Sequence, residues 1–185
     1  MRDRGKTTLN LAGSLLLAHP AMRDPNFRRS VVLLSAHGDD GAMGVVLNRP
    51  LGKQLGDLNA QFAASAIAGV PVYRGGPVQK EQLILAAWRP EPLEAGFKLY
   101  FGIDAEKAAA LQGEEGVRLR AFLGYSGWSK GQLENELRHN TWVITPVSPE
   151  LLERNDGPGL WRTILGGLSP EWKLMADEPE DLTGN

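Results

Sequence analysis

Between Phe122 and Arg138 the chain reads FLGYSGWSKGQLENELR, which sets glycines, two serines, a lysine and a glutamine just ahead of a helical pattern. Three chemistries use such residues at such a place: a phosphate loop, a dinucleotide loop and a nucleophile elbow. Each lacks an essential residue here. Counting from Gly124, the second glycine of a phosphate loop is replaced by Ser129, although Lys130 follows. G-x-G-x-x-G does not occur within 124–131, and Gly127 follows Ser126 one residue too early for G-x-S-x-G. A simpler anion site survives, because glycines ahead of a helix leave N–H groups free at its electropositive end. Against it, Ser129 and Gln132 have the S-x-x-Q spacing of a capping box, which satisfies those N–H groups internally.

Other polar residues offer less. His19, His37 and His139 show neither i,i+4 pairing nor an HExxH pattern, so spacing assigns no metal site. Asp39-Asp40 reads as a polar hairpin turn. Arg49 and Arg74 sit in strand-end loops, NRP and YRGGP, where a guanidinium fork suits a carboxylate or phosphate, or else a local carbonyl. Trp128 is a base-stacking or groove residue or, more simply, packing for the following helix.

At 185 residues the chain suits a single domain with a core of its own. The absence of cysteine removes disulfides, thiolate catalysis and Cys-ligated zinc, and points to a reducing, cytoplasmic setting. The N-terminal MRDRGK…LNLAGSLLLA has a basic start and an apolar run. It lacks a cleavage site and is too short to span a bilayer, so it reads as a first strand of a mature protein without a membrane segment. Net charge is −2, divided unevenly: residues 1–92 hold 11 basic and 7 acidic side chains, residues 93–185 hold 9 and 15. Nucleic-acid binding favours a strongly basic domain, leaving only a local patch on the first half for a DNA-binding regulator.

Strands are expected at 9–18, 30–37, 42–48, 70–76, 82–88, 97–102, 117–125 and 141–147, from their apolar and alternating runs. The HGDDG turn makes residues 30–48 a hairpin. Helices are expected from Leu55 to Ala68 with Asp57 as N-cap, after Asp104, after Ser129, after Ser148-Pro149, over 159–168 and over 170–176. Strands come in pairs before helices, without βαβ alternation, which gives α+β. Residues 1–8 form a flexible start, 9–176 one domain and 177–185 an acidic tail.

The segments HPAMRDPNFRRSVVLL, GAMGVVLNRP, VYRGGPV, GYSGWSKGQLENEL and NTWVITPVSPELL, in this order, resemble the YqgE/AlgH family of bacterial proteins across residues 9–176. The resemblance implies a coiled, branching, mostly antiparallel sheet with flanking helices and a cytosolic protein. It implies no agreed catalytic residues, cofactor or metal, and one branch is associated with control of exopolysaccharide production. The strand after GGPV commonly carries a histidine in relatives; here it reads LILAAW.

The resulting expectation is a binding or regulatory protein whose Asn48, Arg49, Arg74, Gly75, Gly76, Ser126, Trp128, Lys130 and Gln132 share one polar surface, since strand-end loops often gather at one end of a sheet. Its partner is a protein or an anionic small molecule. The alternatives are an enzyme acting on an anionic substrate at 126–132, with Glu134 or His139 as the titrating group, and a DNA-binding regulator.

Overall fold

The computed structural model describes residues 10–91, 96–148, 150, 153 and 157–179. Nine strands form one sheet: β1 (Ser14–Ala18), β2 (Val31–Gly38), β3 (Gly41–Val46), β4 (Pro50–Gln54), β5 (Pro71–Arg74), β6 (Val78–Glu91), β7 (Gly96–Ile103), β8 (Arg118–Ser129) and β9 (Trp142–Pro146). The helices are α1 (Ala60–Ala63), α2 (Ala105–Gln112), α3 (Gln132–Arg138), α4 (Gly159–Gly166) and α5 (Pro170–Asp177). The order β4-β5-β8-β3-β2-β1-β9 is antiparallel at every pair except β5–β8.

The sheet branches at β8. One edge pairs with β6 from Arg118 to Tyr125; the other takes β5 at 121–123 and β3 at 126–129. This α+β architecture is the one the pairing of strands predicted. The centre of the sheet is covered on both faces, so β1 and β2 are continuous apolar runs instead of alternating ones. On one face Leu15, Leu33, Val45 and Phe122 pack against Trp161, Ile164 and Leu165 of α4. On the other, Leu16, Val32 and Val46 pack against Trp128, Trp142 and Leu133 of α3. A third cluster, around Leu55, Val72 and Ala121, is closed by Ala108 of α2.

Several expectations change. The 55–68 segment is a 3-10 turn (Leu55–Asp57) followed by the four-residue α1, whose N-cap is Asn59; the Asp57 carboxylate instead accepts from Gln54 N–H. Its many small residues cover too little surface to hold a long helix. The GYSGWS run is not a corner but the second half of β8. Ser129 does not cap α3: that position falls to Gly131, at φ +74°, while Gln132 Oε1 accepts from Ser129 N–H and Oγ–H. The hairpin 30–48, the Asp104 cap and the apolar stripe of α4 stand as expected. Residues 1–8, Pro149 with most of the helix expected after Ser148, and tail residues 180–185 lie outside the described residues. Among the described residues no helix is long and apolar enough to cross a membrane.

Candidate functional site

The glycines of YRGGP let three backbones cross without side chains between them. A Cβ on Gly75 would lie 2.2 Å from Gly124 O, and one on Gly76 would lie 2.1 Å from Tyr125 O. Gly75 N–H donates to Leu123 O (2.9 Å), and Gly75 O accepts from Val46 N–H (2.9 Å) and from the buried Ser126 hydroxyl (3.1 Å). Arg74 N–H donates to Arg49 O at 2.9 Å. The 48–50 and 74–76 loops and the middle of β8 therefore meet in space.

Asn48 and Arg49 then tie this junction to the turn ahead of β2. Asn48 is 3% exposed; its Oδ1 accepts from Val31 N–H (3.0 Å) and its Nδ2 donates to Arg29 O (2.9 Å). Both halves of the amide are used, so the side chain fixes Arg29, whose φ of +52° is rarely adopted by a non-glycine residue. Arg49 donates to Pro25 O (3.0 Å) and Arg28 O (3.1 Å), and Arg74 to Lys80 O (2.7 Å) and Leu123 O (3.3 Å). Each guanidinium has five N–H donors, so binding two carbonyls leaves three that these bonds do not use.

Two hollows flank Arg49. One, about 180 Å³, is lined by Asn26, Val46, Arg49, Arg74, Gly76, Pro77 and Lys80. The other, about 330 Å³, is lined by Arg28, Arg29, Asn48, Arg49, Pro158, Trp161 and Arg162. Among the described residues neither lining includes a carboxylate. Burial, and then repulsion from Arg28, lowers the Arg49 pKa, with Asp24 opposing.

Trp128, Lys130 and Gln132 do not join this surface. Trp128 belongs to the core under α3, edge-on to Trp142 with ring centroids 6.0 Å apart. Its Nε1–H donates to Glu136 Oε1 (3.1 Å), which also accepts from Trp142 Nε1–H (3.3 Å). Lys130 and Gln132 are exposed beyond the end of β8. The titratable neighbours of the 126–132 segment are also engaged. His37 Nδ1 accepts from Leu11 N–H (3.0 Å), which puts its proton on Nε2, donated to Glu134 Oε1 at 2.6 Å. That bond, foremost, draws the Glu134 pKa below the usual carboxylate range. His139 donates from Nδ1 to Asn135 O at 2.7 Å, closing the C-terminus of α3. Among the described residues no group of three or more His, Asp or Glu side chains is placed to hold a metal ion.

Sequence reading missed Arg28, Arg29, Lys80 and Arg162. Arg28-Arg29 and Lys80 stood beside recognised motifs, but Arg162 is one polar position on a helix whose apolar face drew attention. It also missed Arg120, which alternates with Leu119 and Ala121 along β8. Arg120 is 6% exposed, lies over the rings of Tyr73 (4.6 Å) and Trp88 (5.1 Å) and donates to Leu47 O (3.2 Å). Aromatic faces make that side of β8 able to hold a guanidinium.

A β8-branched α+β sheet with an arginine-lined strand-end junction thus defines the class of protein. Residues 15–173 match the family model described as AlgH-like, and the chain belongs to that family. A UPF0301 protein of Bacteroides fragilis is 35% identical over 91% of this chain and 88% of its own length. One of Streptomyces coelicolor is 36% identical over 93% and 94%. The solution structure of the AlgH protein from Pseudomonas aeruginosa is similar with a TM-score of 0.64 and 31% identity, over 97% of this chain and 98% of that one. A crystal structure of a Corynebacterium diphtheriae protein shares the fold, at TM-score 0.70, 21% identity and coverage of 91% and 92%.

Proposed function

We propose that this chain is a cytoplasmic binding protein, regulatory in role, that captures an anionic group at the junction of the 48–50 and 74–80 loops. The observation that carries the reading is the hollow in which Arg49, Arg74 and Lys80 converge, with no carboxylate among the described residues of its lining. Carbonyl bonds hold both guanidinium groups in place, so little side-chain freedom is lost when an anion docks. An enzyme centred on 126–132 has less support, since Ser126, Glu134 and His139 each commit a polar atom to an internal partner. DNA binding finds no support in a net charge of −2.

A thermal-shift titration with inorganic phosphate at constant ionic strength tests the proposal. A ligand at 100 times its Kd adds about 2.7 kcal/mol. For a chain of this size that raises Tm by roughly 5–10 °C. Lys80 is exposed, so Lys80→Ala should lower this shift while leaving the unliganded Tm unchanged. No shift for phosphate, or an equal one in Lys80→Ala, overturns the reading.

A further inference from the structure

The two hollows share a wall, and that wall is a cation. Arg49 faces Arg74 and Lys80 on one side and Arg28, Arg29 and Arg162 on the other. Among the described residues Asp24 opposes the charge of Arg49 and Asp177 that of Arg162. The Arg28 side chain has no partner among the described residues, and Arg162 meets Asp177 only at 3.9 Å while its Nε–H donates to Ala176 O at 3.2 Å. Arg29 lies 5.1 Å over the Trp161 ring and donates Nη2–H to Glu178 O (2.8 Å), which holds the rim of the larger hollow.

Building on the anion-binding reading above, we infer that the two hollows form one site for a ligand bearing two linked phosphate groups, a diphosphate, with Arg49 serving both. Two separate anions held by one guanidinium would repel each other. Linking them makes the second contact intramolecular and gives its affinity the benefit of a high effective concentration. Guanidinium forks match phosphate oxygens two at a time, and among the described residues five of the six cations around the paired hollows are arginines. The aromatic residue present is not a base platform: Trp161 is 1% exposed, lies under Arg29 and donates Nε1–H to Ala18 O (2.8 Å). Small-molecule sites usually occupy about 300–1,000 Å³. The larger hollow, about 330 Å³, is at the low end, which suits a compact diphosphate better than a nucleic-acid strand.

The test is calorimetric titration of the full chain with inorganic phosphate, inorganic pyrophosphate and a single-stranded oligothymidylate, without divalent cation. Wild type is compared with Arg28→Ala, Arg162→Ala and Lys80→Ala, three exposed positions at which folding is checked by unchanged melting. Pyrophosphate should bind at least about ten-fold more tightly than phosphate. Arg28→Ala and Arg162→Ala should each weaken pyrophosphate about five-fold or more and leave phosphate within about two-fold; Lys80→Ala should weaken both. If pyrophosphate shows no advantage, or keeps it in Arg28→Ala and Arg162→Ala, the two-hollow site is wrong while phosphate capture beside Lys80 stands. If neither anion binds, both readings fall. Oligothymidylate binding tighter than pyrophosphate, with a steep salt dependence, replaces the diphosphate with a nucleic acid.

Discussion

Asn48→Ala tests how the arginine surface is held together. The Asn48 amide is buried, and it accepts from Val31 N–H and donates to Arg29 O. Truncation leaves a donor and an acceptor unpaired where water scarcely reaches. Each such group costs about 1–3 kcal/mol, so the pair should cost roughly 2–4 kcal/mol after partial relaxation. At about 2–4 °C per kcal/mol, Tm should fall by roughly 5–15 °C. The loss should also be local in origin. The Val31 amide, protected in the wild type, should exchange faster by more than the global destabilisation explains, because Arg29 would be released from its left-handed conformation. The assays are a melt and amide hydrogen exchange, with Arg28→Ala as a surface control expected within about 0.5 kcal/mol. A Tm within 2 °C of wild type together with unchanged Val31 protection would refute the view that Asn48 anchors this rim.

Three more outcomes follow from the same reasoning. Glu136→Ala removes the shared acceptor of the Trp128 and Trp142 indoles and should cost about 2–4 kcal/mol by denaturant unfolding; Glu136→Gln, which keeps an acceptor, should cost less than half of that. Gly75→Ala puts a Cβ 2.2 Å from a backbone oxygen and should cost about 3 kcal/mol or more, seen as loss of soluble folded protein. The pKa of Glu134 is lowered on folding, chiefly by its bond from His37, so its contribution is present above the unfolded carboxylate pKa, about 4.3, and is lost as pH falls through the lower folded value. This group is one-third exposed, so Glu134→Ala should destabilise by less than about 1 kcal/mol at pH 7, with the difference from wild type shrinking in melts below pH 4.

Local patterns made much of this fold readable and left the site half readable. Val31 to Gly38 and Gly41 to Val46 announce a hairpin through apolar runs on either side of Asp39-Asp40, because both signals lie within a few residues. Asp104 caps its helix through a side-chain contact three residues away. The 124–129 segment is different. Its glycines suggest a loop, but Gly124 is there because β8 is met closely by the Gly75-Gly76 backbone, a partner some fifty residues distant. Arg49 and Arg74 were legible as forks on loops. Arg28 and Arg29 reach Arg49 through the turn that Asn48 and Arg49 hold, and Arg162 does so because α4 packs over β1, contacts no local pattern encodes. Trp128 and Gln132 were grouped with them by sequence position, although β8 carries that end of the strand away to α3.

Nuclear magnetic resonance of the arginine side chains, with 15N-labelled protein and inorganic pyrophosphate as titrant, tests the central claim most directly. The Nε–H signals of Arg49 and Arg74 and the amide of Gly76 should move along one saturable curve, while those of Arg118 and Arg138, remote from both hollows, stay still. Shifts that grow linearly and equally at all arginines, or that saturate first near Lys130 and Gln132, would contradict an anion site at the Arg49–Arg74 junction.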